Sequence, residues 1–214
     1  MDRMQITKWL FNLLVIGIAL VGWFWTQAKL GQRQFQEGRI GDALLELTAP
    51  VNRFLHANPA WANRLLLVSS GLIDLLGVFL IASSIFGPSL RPFIGLFLLF
   101  TLRQLCQNLC ALPPPPGMLW RHPGFPSLLV TYGTAGDLFF SGHTAIAVYG
   151  ALELGYVAGL PGMLAGGAIA LFEIGTVLVL RAHYTMDVFT GIVTALLVWG
   201  ATFEYLPRLT SWLA

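Results

Sequence analysis

Charge is what this chain has least of: 10 acidic and 12 basic side chains in 214 residues. That is 10%, where a soluble domain carries about 25%. Too few charges exist to cover a water-facing surface, so an ordinary soluble domain is excluded. The net charge is +2 and no basic run occurs, which excludes nucleic acid as a partner. There are only two cysteines, Cys106 and Cys110. Four residues apart in an apolar segment, they share a helix face and read as small packing residues, not a disulfide or metal pair. No cluster of carboxylates offers a magnesium site, and no cofactor is expected.

Apolar residues fill the chain instead, at 56% with a mean hydropathy of +0.73. A membrane helix needs about 20 mostly apolar residues. Six segments qualify: residues 9–26, 65–86, 93–112, 143–159, 163–180 and 184–205. The expected fold is an all-α membrane protein with six transmembrane helices, forming one domain over residues 1–214. The first apolar run lacks a small-residue cleavage site and reads as a retained span. Between the first two spans, Leu44-Leu45-x-Leu47 and Val51-x-x-Phe54-Leu55 keep helical spacing. That predicts a short amphipathic interfacial segment, broken by Asn58-Pro59. Pro113 to Pro116 end the third span. A tight turn is expected at Gly159-Leu160-Pro161-Gly162. Basic residues flank the spans on both sides, so charge sets no absolute orientation.

Two stretches carry the chemistry. Gly136-Asp137-x-x-x-Ser141-Gly142-His143-Thr144 opens the fourth span, and Arg181-x-His183-Tyr184-Thr185-x-Asp187 opens the sixth. Two spans separate them, so both histidines face the same side, opposite the termini. His183 and Asp187 are four apart at a helix start and share a face. Asp187 can take the proton of one ring nitrogen and leave the other free as nucleophile or base. His143 can act across from it as acid or base. Arg103 lies nine residues before Leu112, about 13 Å down the third helix, where a cation usually lines a polar cavity and can grip a phosphate. Arg181 is a second phosphate candidate, and Asp137 a partner for His143. Asp74, Glu153 and Glu173 are acids within spans, either functional or partners of Arg103. Ser141 lacks a nucleophile elbow, and His143, His183 and Asp187 lack a fourth zinc ligand. His56 and His122 read as ordinary loop residues.

These stretches resemble two signature motifs of the sphingomyelin synthase family. Arg103 and Leu112-Pro113-x-Pro115-x-Gly117-Met118 resemble a third, with one extra residue in the proline run. The likeness covers residues 103–194. The chain is also similar to plant phosphatidylcholine:diacylglycerol cholinephosphotransferase, most of all at Arg181-x-His183-Tyr184-Thr185, and more distantly to type 2 phosphatidate phosphatases. The resemblance implies a histidine-linked intermediate: His183 as nucleophile, Asp187 orienting it, and His143 protonating the departing alkoxide and then activating the incoming hydroxyl. Asp137 stands where the family also has Asp. The phosphatases' Lys-x6-Arg-Pro motif is missing, since Ser84 precedes Arg91-Pro92 by seven. That favours a phosphodiester head group over a free phosphomonoester. The expected activity is transfer of phosphocholine or phosphoethanolamine from a glycerophospholipid to diacylglycerol or ceramide, the partners being membrane phospholipid and lipid-alcohol substrates. Its rivals are hydrolysis by a phospholipase C or lipid phosphatase, and a non-catalytic membrane scaffold.

Overall fold

The computed structural model describes residues 40–110, 112–124, 132 and 138–205, with isolated positions 6, 7, 14, 21 and 25. The expected first span, 9–26, and Asp137 lie outside the described residues. The chain divides into two compact units, Met1–Gly41 and Asp42–Ala214. The six helices from Ala43 to Glu204 all lie in the second.

Local signals set the helix boundaries. Helix α1 (Ala43–Leu47) is capped by Asp42, whose carboxylate accepts from the backbone N–H groups of Leu44 and Leu45. Helix α2 (Ala49–Ala57) follows at once, with a proline in its first turn, where no N–H is missed. The expected single amphipathic helix is thus two short ones, joined at Thr48. Asn58 ends α2 and Pro59 starts α3 (Pro59–Phe86). Helix α4 spans Arg91–Leu109, α5 spans Gly142–Val179 and α6 spans Thr185–Glu204. The described residues form these six helices.

Helix α5 is two limbs. Gly159 takes φ 63° and ψ −143°, a left-handed backbone that side-chain-bearing residues avoid, and Pro161 follows it. The second limb folds back on the first so closely that a Cβ on Gly166 would lie 2.5 Å from Ala151 Cα. Such close backbone approach is how helices associate where lipid removes the hydrophobic drive between them. Around this hairpin, α3 and α6 pack on α5, and α4 fits against both α3 and α6. The shared core is Ile73, Leu76 and Leu80 of α3, Leu96 and Leu99 of α4, Ile146 and Tyr149 of α5, and Ala195 and Val198 of α6.

Helices α3, α5 and α6 are long and apolar enough to cross a membrane. Helix α4, the expected third span, is not among them. It stops at Leu109, with Cys110 already extended, and Arg103, Gln104, Gln107 and Asn108 crowd its last two turns. Arg103 is therefore six residues from its helix end, about 9 Å, shallower than the sequence suggested. At its other end, Arg91 forms a buried bidentate pair with Glu153 and lies 3.7 Å over the ring of Phe203. That assigns Glu153 to Arg91, not to Arg103.

Candidate functional site

The site forms where the starts of α5 and α6 meet. Ser141 is buried and caps α5, its hydroxyl accepting from the Thr144 N–H at 3.3 Å and the Thr144 hydroxyl at 3.0 Å. This is a capping role, one that short polar residues fill at helix starts. Its own N–H donates to the Asp187 carbonyl at 3.1 Å. One turn further along α6, a Cβ on Gly191 would lie 2.8 Å from the Ser141 carbonyl oxygen. Glycine there lets α6 reach the first turn of α5, and the two histidine-bearing stretches come together.

His143 and His183 are both buried, 8% and 5% exposed. Among the described residues, His143 Nε2 and His183 Nδ1 have no hydrogen-bond partner. Exposed histidines would meet water; these two hold unpaired nitrogens in a closed space, which is costly unless a ligand completes them. Asp187 is fully buried. Its Oδ2 accepts from the Tyr184 N–H at 2.8 Å and lies 3.6 Å from His183 Nδ1. The second distance exceeds a hydrogen bond; catalytic contacts of this kind tighten when substrate is bound. Asp187 Oδ1 is likewise unpartnered.

Arg103 comes in from α4. Its Nε donates to the Phe140 carbonyl at 2.9 Å. A Cβ on Gly142 would sit 3.1 Å from that Nε and 3.5 Å from the guanidinium carbon. The guanidinium therefore lies over the first turn of α5, the positive end of that helix, which also favours an anion. His143 is the next residue. Arg181, the other phosphate candidate, is engaged elsewhere. At φ 53° it turns its guanidinium onto the carbonyls of Pro116 and Leu45.

That contact is part of a staple the sequence did not announce. Asn52 of α2 is buried and donates to the carbonyls of Gly117 at 3.1 Å and Val179 at 2.9 Å. His56 Nε2 is 3.1 Å from the Gly117 carbonyl, so it is no idle loop residue. The Leu119 N–H donates to the Leu180 carbonyl at 2.8 Å. Together these fix the proline-rich stretch and deliver Trp120, whose ring meets His143 edge-on with centroids 4.9 Å apart. Asp42 also accepts from the Thr185 N–H at 2.6 Å and from its hydroxyl, tying α1 to the start of α6. Trp120 follows the Leu112–Met118 motif by two residues and was findable from it. Asn52 and Asp42 make contacts too distant in sequence for any local signal.

Among the described residues, no group of three His, Cys, Asp or Glu side chains is arranged to hold a metal. The arrangement offers two buried imidazoles, a carboxylate behind one of them and a guanidinium beside the other. Chemically that suits an anionic, hydrolysable or transferable ester.

No curated protein and no solved structure matches the chain significantly. The AtPDCT1/2 family model matches residues 41–202, which takes in α1 through most of α6 and every described site residue named above. The match supports the resemblance to the cholinephosphotransferase and not the likeness to sphingomyelin synthases. On that match the chain belongs to the AtPDCT1/2 family, the phosphotransferases named phosphatidylcholine:diacylglycerol cholinephosphotransferase.

Proposed function

We propose that the protein moves phosphocholine from phosphatidylcholine to diacylglycerol through a histidine-bound intermediate. The observation that carries this is the packing of the start of α6, which carries Asp187 with His183 beside it, on the start of α5, which carries His143 with Arg103 over its first turn. Asp187 holds the proton on His183 Nδ1, leaving Nε2 to attack phosphorus. The N–P bond forms as the bond from phosphorus to the diacylglycerol oxygen breaks, and His143 gives that oxygen its proton. In the second half, His143 takes the proton from an incoming diacylglycerol hydroxyl. The new O–P bond forms as the N–P bond breaks. Arg103 and the first turn of α5 hold the phosphate oxygens while charge builds on them. Arg181 serves this site indirectly, by fixing the Pro116 loop. Asp137 belongs in the proposal by its place in the motif, as a partner to His143.

The test is exchange of labelled phosphocholine between phosphatidylcholine and added diacylglycerol on purified protein in vesicles. Labelled product lipid that depends on diacylglycerol is the expected result, with phosphate label on His183 trapped by rapid acid quench. Release of free phosphocholine without acceptor would make the protein a hydrolase, transfer to ceramide in place of diacylglycerol would shift the acceptor, and no reaction at all would leave a scaffold.

A further inference from the structure

Trp120 touches His143 yet has no part in the steps above. The strap that carries it, residues 112–124, forms neither helix nor strand. Irregular backbone facing lipid would leave its polar groups unpaired, so the strap belongs at the aqueous edge. From that edge inward the side chains are layered. Arg121 and His122 are exposed; Arg121 donates to Asn63 Oδ1, and the His122 ring meets Tyr132 at 5.4 Å. Next, Tyr132 and Trp120 stack with centroids 5.2 Å apart and planes 29° from parallel. Innermost is His143, 4.9 Å from Trp120 and nearly perpendicular to it at 88°. Trp120 packs against all three apolar clusters of the described residues. Tyr132 is held too: its hydroxyl shares a hydrogen bond with Ser70, and the neighbouring Ser69 donates to the buried Glu173 at 2.6 Å.

A phosphohistidine has two possible takers. Diacylglycerol comes from the hydrocarbon, and water comes from the aqueous edge, far more abundant there than any lipid hydroxyl. With water, the new O–P bond forms as the N–P bond breaks, the proton passes to His143, and free phosphocholine leaves. The bonds made and broken are of the same kind for both acceptors, so the histidines themselves cannot choose between them. The choice comes from access to His143, and shutting water out is how a reactive intermediate escapes hydrolysis. A water molecule approaching past His122 meets two stacked rings before it reaches the buried imidazole.

We infer that Trp120, backed by Tyr132, keeps water from His143 and so makes a lipid hydroxyl the acceptor. The inference rests on the phosphocholine-transfer reading above. It makes Trp120 a specificity-determining residue: its ring covers the acid–base histidine on the strap side, and Tyr132 holds that ring in place.

The experiment uses the full-length protein in vesicles of choline-labelled phosphatidylcholine, with added diacylglycerol of distinguishable acyl chains. One reaction gives two readings: labelled phosphatidylcholine carrying the new chains, and free labelled phosphocholine. Wild type is expected to make mostly the first. Water gains access when the Trp120 ring leaves His143 and Tyr132, and losing aromatic contacts of this kind makes such opening roughly tenfold more frequent. Trp120→Leu should therefore raise the ratio of free phosphocholine to transfer product roughly tenfold. Trp120→Phe, which keeps a ring, should bring the ratio back toward wild type. A packing role alone would lower both products together, so a wild-type ratio in Trp120→Leu overturns the inference and leaves phosphocholine transfer standing. Should Trp120→Leu fail to fold, Tyr132→Leu takes the same test, and an unchanged ratio there also overturns it. Wild type that makes free phosphocholine alone, or neither product, defeats the transfer reading and the inference with it. A second readout omits diacylglycerol. The phosphocholine label on His183 should persist in wild type and decay faster in Trp120→Leu; equal lifetimes would overturn the exclusion of water.

Discussion

One oxygen of Asp187 serves two neighbours. Its Oδ2 caps the Tyr184 N–H at 2.8 Å and stands 3.6 Å from His183 Nδ1. Asp187→Asn keeps an acceptor for the cap but offers an amide in place of the anion that steadies a charged imidazole. Transfer should fall by roughly a hundredfold or more, while the cap loss costs no more than about 1 kcal/mol. A kcat measurement beside a thermal melt separates the two. Arg103 gives the complementary case. Arg103→Lys keeps the charge but loses the planar fork that donates to the Phe140 carbonyl and, in the proposed reaction, holds a phosphate at the same time. Activity should drop at least about tenfold with the melting temperature nearly unchanged; equal losses in both would make the arginine a structural brace. At this scale the sequence was informative where spacing is local. The four-residue step from His183 to Asp187 predicted that the two would be neighbours, and they are, at 3.6 Å, although His183 stands just ahead of the helix whose first turn carries Asp187. It was silent on Trp120 meeting His143, and on Asn52 joining two loops, because those contacts span long stretches of chain.

Helix ends were legible where proline or glycine writes them. Asn58-Pro59 separates α2 from α3, and Gly159 with Pro161 folds α5 into a hairpin. The end of α4 was misplaced because apolar periodicity does not stop where the helix does; Cys110 and Leu112 continue the pattern after the backbone has turned extended. The decisive element contact, α6 against the start of α5, left no local trace beyond a glycine. Gly191→Ala places a methyl 2.8 Å from a backbone oxygen that cannot swing aside. The two helix starts must part, and His183 with Asp187 must shift relative to His143. A misplacement of about 1 Å can cost a hundredfold in rate, so Gly191→Ala should abolish most transfer yet retain its helical circular dichroism. Full activity in that variant would mean that the junction is not where the reaction takes place. Asp42→Ala probes the same junction from α1. It removes the α1 cap and both bonds to Thr185, and should lower stability by about 1–2 kcal/mol.

At the scale of the whole molecule, the candidate site residues gather at one end of α4 and the Arg91–Glu153 pair sits at the other. Helix α4 carries Arg91 at its start and Arg103 toward its end, twelve residues and about 18 Å apart. A helix that reaches from a buried ion pair to the site spans most of a hydrocarbon core of about 30 Å. Its polar last turns are the reason it falls short of an apolar span by composition, and the same residues suit a wall of a polar cavity. Helices α3, α5 and α6 meet the length and apolarity of a span; six spans with the site opposite the termini is the expectation from hydropathy, and residues 9–26 lie outside the described residues. Single cysteines introduced into a cysteine-free, still active protein test this directly. Replacements at Asp2 and Ser211 should both react with a membrane-impermeant reagent from one side of sealed, oriented vesicles, and replacements at Arg121 and His122 only from the other. Labelling of Asp2 and Arg121 from the same side would break the six-span count, and with it the placement of the site opposite the termini.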